Sequence, residues 1–144
     1  MTIVGAIAIV LAIKAWVVNP YRIPSSSMEP TLHCAKPGLG CEAHYSDRVL
    51  ACRFCYHFFA PKRGDIVVFK TPPLAEVKCG AGGTFVKRLI GLPGDTVKED
   101  KKGNIWIEPG GSHTFSKLKE PYVQAQRRLA DVSHFGKSWH VPEG

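Results

Sequence analysis

Ile23-Pro24-Ser25-Ser26-Ser27-Met28-Glu29-Pro30-Thr31-Leu32 sets the reading of everything around it. Each proline fixes its own φ and drives the residue before it, Ile23 or Glu29, away from helical backbone. The segment is therefore expected to be a stiff, extended or turning piece. In extended backbone alternate side chains share a face, which puts Ser25 and Ser27 on one side and Ser26 on the other. Two hydroxyls side by side can divide a reaction between them: one attacks, and the other donates a hydrogen bond to the oxyanion that the attack creates. A serine cluster beside prolines is more commonly a solvated turn, so the rest of the chain has to supply the chemistry.

It does so at Phe85-Val86-Lys87-Arg88-Leu89-Ile90-Gly91-Leu92-Pro93-Gly94-Asp95 and, between that string and the serines, at Arg63-Gly64-Asp65-Ile66-Val67-Val68-Phe69. In this order the three strings resemble successive sequence boxes of the type I signal peptidases, membrane-anchored serine–lysine proteases that remove signal peptides. The likeness runs from the apolar N-terminus nearly to residue 144. It implies that Ser27 is the nucleophile and Lys87 its general base. It also implies that the Ser25 hydroxyl, with the Ser27 backbone N–H, forms an oxyanion hole. The implied substrate is the extended small-x-small segment ahead of a signal-peptide cleavage site, added as a strand beside the catalytic residues.

The residues give an independent reason to accept Lys87. On a strand, Phe85, Lys87 and Leu89 share a face, so the amine is expected among apolar neighbours, which disfavour its charged form. Only an uncharged amine can take the serine proton. Without the serine motif, the same residue would be read as a solvated strand lysine. Arg88 points the other way with Val86 and Ile90 and, if buried, needs a carboxylate; Asp65 and Asp95 are the candidates, and the expected role is structural. Met28 is read as support beside the serine, and with Ile23 it is a candidate for lining small substrate pockets.

Residues 1 to 18, MTIVGAIAIVLAIKAWVV, are apolar apart from Thr2 and Lys14. As a helix they would be about 27 Å long, against a hydrocarbon core of roughly 30 Å. Lys14 can snorkel, while Trp16 and Tyr21 suit the interface. A cleavable signal peptide would need a basic start and a small-residue cleavage site, and neither is evident. A transmembrane anchor over 1–19 is therefore expected, in preference to a buried core helix. The positive-inside rule nominally opposes the implied topology, because Lys14 and Arg22 lie on the C-terminal side, but long domains cross largely regardless of charge. The family resemblance places 20–144 as an extracytoplasmic peptidase domain on a single-pass protein of the cell membrane.

The chain of 144 residues has room for one modest domain. Its net charge of +7 is scattered and carries no nucleic-acid signature, so the basic surface is assigned to anionic lipid headgroups, not to DNA or RNA. Strands are expected at 47–54, 66–69 and 85–90, and a hairpin joins 96–98 to 105–107 across Gly103-Asn104. Gly64-Asp65 and Gly94-Asp95 both close a turn that feeds a strand. The Arg63-Gly64-Asp65 tripeptide is read as that turn and not as an adhesion ligand. Tyr56, Phe58 and Phe59 are read as core packing in preference to a membrane-dipping surface. A short helix is expected over Gln124–Leu129. The short strands and frequent turns predict a mainly β fold behind the N-terminal transmembrane helix.

Of the five cysteines, Cys34–Cys41 and Cys52–Cys55 are expected as disulfides outside the cytoplasm, leaving Cys79 free. The alternative is a zinc site from the same four thiols; no metal or cofactor is otherwise expected. A serine–histidine mechanism is set aside, because His33, His44, His57, His113, His134 and His140 show no triad signature. The family has one further box, a Gly-Asp-Asn-Arg-type string that buttresses the lysine, which would follow Gly144; the chain is thus expected to be C-terminally incomplete and weakly active or inactive. Two other readings stay open: a non-catalytic relative that holds signal peptides, and a self-cleaving repressor-type serine–lysine protease. The apolar start argues against the second.

Overall fold

The computed structural model describes residues 2–16, 18–80, 82–125 and 137–143. The chain divides into two compact units: Met1–Pro61 with Val67–Lys87, and Lys62–Ile66 with Arg88–Gly144.

The first unit opens with helix α1, Thr2–Trp16. It is shorter than the expected anchor. Pro20 cannot continue a helix and biases Asn19 to extended backbone, so strand β1 is already formed at Val18–Arg22. At 15 residues α1 is about 22 Å long, and no helix among the described residues is long and apolar enough to cross a membrane. The side chains of Ile3, Val4, Ile7, Ile9, Val10 and Leu11 are exposed. Strand β1 pairs antiparallel with β2, Arg48–Cys52, in a register that sets Val18 opposite Cys52 and Arg22 opposite Arg48. Between them lie the serine segment and a loop closed by the Cys34–Cys41 disulfide, whose Cα atoms are 5.2 Å apart.

A second disulfide, Cys52–Cys55, ties the end of β2 to the single turn α2, Cys55–Phe58. The zinc alternative therefore loses its four thiolates. Around this knuckle the expected core packing does not occur: Tyr56, Phe58 and Phe59 are 49%, 73% and 69% exposed. Phe54 meets Phe58 edge to face at 5.9 Å, so the rings cover each other but not a core. Strand β3, Ile66–Lys70, pairs with β4, Thr84–Arg88, and Phe69 stacks on Phe85 across them at 6.2 Å. Helix α3, Pro73–Cys79, bridges the two strands. It was legible but not anticipated: Pro73 opens it and Gly80, at φ +65°, ends it in the left-handed conformation glycine tolerates.

The second unit is a four-stranded sheet ordered β7-β6-β5-β8, built from β5 (Thr96–Glu99), β6 (Ile105–Glu108), β7 (Ser116–Lys117) and β8 (Ser138–His140). The expected hairpin is present, with Val97 opposite Ile107. Its turn is held by Asp100, which accepts from the Asn104 side chain and backbone, the Trp106 indole and the Lys102 N–H. Those donors, the Asn104 side chain foremost, hold the Asp100 carboxyl well below its ordinary range. The helix expected over Gln124–Leu129 lies outside the described residues beyond Ala125. The mainly β reading stands for the described residues after α1.

Candidate active site

The hydroxyls of Ser25 and Ser27 come together as expected, but through a turn and not through the alternation of an extended strand. Ser25 and Ser27 are exposed, and their Oγ atoms lie 3.4 Å apart. The backbone between them is tighter than an extended strand: Ser26–Met28 form one 3-10 turn, closed by the Glu29 N–H donating to the Ser26 carbonyl at 3.0 Å. Ser25 itself is extended, at φ −138° and ψ 158°. The turn lifts Ser27 to the surface and sends Met28 inward, where it is 8% exposed.

The turn rests on a small core. Ile23 is 3% exposed and clusters with Cys34 and Cys41, and Leu32, Val49 and Val86 pack against them. Ile23 and Met28 thus serve as footing beneath the serines. Packing of Val86 on this cluster brings β4 to the serine segment. Lys87 is the next residue, half-buried on the same strand, and belongs to the same unit as Ser25 and Ser27.

Ser26, on the opposite side from its neighbours, donates to the Leu39 carbonyl at 2.9 Å. This contact attaches the disulfide-closed loop to the serine turn. Gly40 sits so close that a Cβ there would stand 2.6 Å from Ser26 Oγ, and its φ of +74° suits glycine in any case.

Sequence reasoning missed the group behind the turn. Glu29 is a buried carboxylate, 7% exposed. Its Oε1 accepts from the Cys34 N–H at 3.1 Å and the Glu42 N–H at 3.4 Å. Its Oε2 lies 3.6 Å from His33 Nε2. His33 uses its backbone N–H (2.8 Å) and Nδ1 (3.2 Å) on Asp47 Oδ2. That backbone N–H, with the ring assisting against the cost of desolvation, holds the Asp47 carboxyl below its ordinary range. His33 is thus engaged with two carboxylates. A Glu and a His at i, i+4 was the available signal.

The remaining expected residues are in the second unit. Arg88 donates to the Gly64 carbonyl at 2.7 Å and lies 4.0 Å over the Tyr122 ring. Asp95, 3% exposed, takes its guanidinium from Arg63 at 2.9 Å and also accepts from the Leu92 N–H. Asp65 accepts from the Lys62 N–H at 2.9 Å. The two Gly-Asp turns are therefore the same device, in which the aspartate caps an N–H three residues back. Among the described residues no cluster of His, Cys, Asp or Glu is arranged to hold a metal ion. A cavity of about 500 Å³ beside Asn104, Leu118 and Val123 includes none of the residues anticipated for catalysis.

The profile of the signal peptidase, peptidase S26 family matches residues 1–144. The chain is 30% identical to a probable signal peptidase I of Mycobacterium leprae, over 89% of this chain and 48% of that protein. It is 38% identical to signal peptidase I of Leptolyngbya laminosa, over 86% and 53%, and 36% identical to probable signal peptidase I-2 of Synechocystis, over 74% and 43%. The chain spans about half the length of these curated relatives.

Proposed function

Because this chain belongs to the signal peptidase S26 family, we propose that it is a serine endopeptidase that cleaves signal peptides from exported preproteins, with Ser27 as nucleophile and Lys87 as general base. The observation that carries this is the exposed turn that sets Ser25 Oγ 3.4 Å from Ser27 Oγ, in the same compact unit as the half-buried Lys87. Lys87 takes the Ser27 proton as Oγ adds to the scissile carbonyl. The Ser25 hydroxyl and the Ser27 N–H donate to the oxyanion. Collapse breaks the C–N bond, and Lys87 returns its proton to the leaving amine. A water, deprotonated by the same amine, then hydrolyses the acyl-serine and restores Ser27.

The substrate is an extended segment with small side chains before the cut, delivered at a membrane. Two features support a membrane setting. Apart from Thr2 and Lys14, helix α1 is built of apolar residues and one glycine, which suits a lipid environment better than water. The register that sets Val18 opposite Cys52 puts the exposed aromatic knuckle 54–59 where the chain leaves α1. With the anchor extended by flanking residues and the aromatic rings at the interface, the catalytic domain would stand on the extracytoplasmic side.

The test compares the parent chain with Ser27→Ala and Lys87→Ala on a preprotein in detergent micelles. Each variant is expected to lose cleavage by at least a thousandfold while keeping its fold by circular dichroism. Cleavage by both variants at the parent rate would remove the dyad assignment.

A further inference from the structure

The mechanism above makes no use of the most deeply placed charged side chain in the first unit. Glu29 lies two residues after Ser27, and its carboxylate is fully buried. Burying a carboxylate is costly unless the surroundings satisfy it. Here the backbone N–H groups of Cys34 and of Glu42, next to the second cysteine of the disulfide, satisfy Oε1, while Oε2 makes no hydrogen bond among the described residues and faces the His33 ring at 3.6 Å.

Contacts on either side of the serines lead back to this group. On the C-terminal side, Glu29 closes the 3-10 turn through its own N–H, and the Leu32 N–H donates to the Met28 carbonyl at 2.9 Å. On the N-terminal side, the Ile23 N–H donates to the Asp47 carbonyl at 3.0 Å, and the Ser46 hydroxyl donates to the Ile23 carbonyl. Asp47 is in turn fastened to His33 twice through its carboxylate, and its N–H donates to the His33 carbonyl at 2.9 Å. Residues 23 and 29, which bracket Ser25 and Ser27, are therefore joined through one chain of groups, Glu29–His33–Asp47.

We propose that Glu29, through His33 and Asp47, is the positioning residue that fixes the spacing of the Ser25 and Ser27 hydroxyls. It touches neither hydroxyl and takes no proton from them. Its effect is to hold both ends of the seven-residue arch, 23–29, so that attacking and oxyanion-donating groups keep one geometry. The inference rests on the dyad reading above for its consequence in catalysis, but the geometry can be tested without it.

The experiment measures amide hydrogen exchange of the full chain in detergent micelles for the parent, Glu29→Ala, Glu29→Gln and His33→Ala. Glu29→Ala and His33→Ala are expected to raise exchange at Ile23, residue 29 and Leu32 by at least tenfold, with the β5–β6 hairpin amides unchanged. Glu29→Gln keeps an acceptor for the two N–H groups and places an amide against the ring, so it is expected to stay within threefold of the parent. Where the parent cuts a preprotein, kcat of Glu29→Ala should fall at least tenfold with KM within threefold, and Glu29→Gln should restore it. Unchanged exchange at those three amides in His33→Ala, whose ring is partly exposed, would overturn the proposal even if Glu29→Ala does not fold. A uniform rise across both units would do the same, because it reports lost stability and not lost positioning. A parent that fails to cut while the local exchange pattern holds leaves the positioning inference standing, so its fate is separable from that of the dyad reading.

Discussion

Between Ser25 and Ser27 the distinction is one of position in a single turn. Both hydroxyls are exposed, and 3.4 Å separates them, yet only Ser27 starts the inward step to Met28 that anchors its backbone. The dyad reading gives Ser25 the lesser role of oxyanion donor. Ser25→Ala is expected to lower kcat by about 10²–10³ with KM little changed, whereas Ser26→Ala, which loses a bond to the Leu39 carbonyl, should act on stability instead. Steady-state kinetics on a preprotein separates the two, and equal losses in kcat for both variants would contradict the assignment. The serines were legible in the sequence because two prolines restrict the backbone, although a 3-10 turn and not strand alternation brings Ser25 and Ser27 together. Glu29 and His33 were not, because nothing in a polar i, i+4 pair says that one member is buried.

At the scale of elements, the best-read features are the turns that feed strands. Gly64-Asp65 and Gly94-Asp95 recur because glycine takes the positive φ and the aspartate caps an N–H of its own turn. The β5–β6 turn carries the same logic further, with Asp100 gathering several donors. Its carboxyl is held below the ordinary value of 3.8, so the carboxylate form favours the folded state. That contribution is fully present above the unfolded value and is lost as pH falls through the folded one. Asp100→Asn should therefore lower Tm at pH 7 by a margin that stays constant down to about pH 5 and narrows below the ordinary carboxylate value. Thermal melts at pH 7 and pH 2.5 check this; the same gap at both would show that the charge plays no part. The guanidinium partner of Asp95 is the instructive miss. Strand alternation pointed to Arg88, but Arg63, within the turn that precedes β3, reaches Asp95 instead.

For the molecule as a whole, the exposed apolar surface poses the question of what surrounds it. Helix α1 presents Ile3, Val4 and Ile7 to its surroundings, and the disulfide-closed knuckle adds Phe58 and Phe59. Exposed surface of this extent on a soluble chain would favour aggregation, whereas a bilayer would cover it. The full chain is expected to float with liposomes and to resist an alkaline carbonate wash. Phe58→Ser with Phe59→Ser should keep flotation if α1 acts as the proposed anchor, but should expose residue 54–59 amides to exchange that lipid would otherwise slow. Release of the parent into the wash would refute the anchor. Equal knuckle exchange with and without lipid would refute the interfacial placement and leave the anchor standing.

The amino-acid sequence by itself determined the family, the serine turn, the strand-feeding turns and the β5–β6 hairpin. Each depends on local backbone restriction or on side-chain alternation, and both are written in neighbouring residues. Only the tertiary structure decided that Arg63 reaches Asp95 and that the aromatic knuckle faces outward. It also decided that Glu29 lies buried against His33. These outcomes depend on which distant segments meet, and burial is a property of that meeting and not of any residue alone.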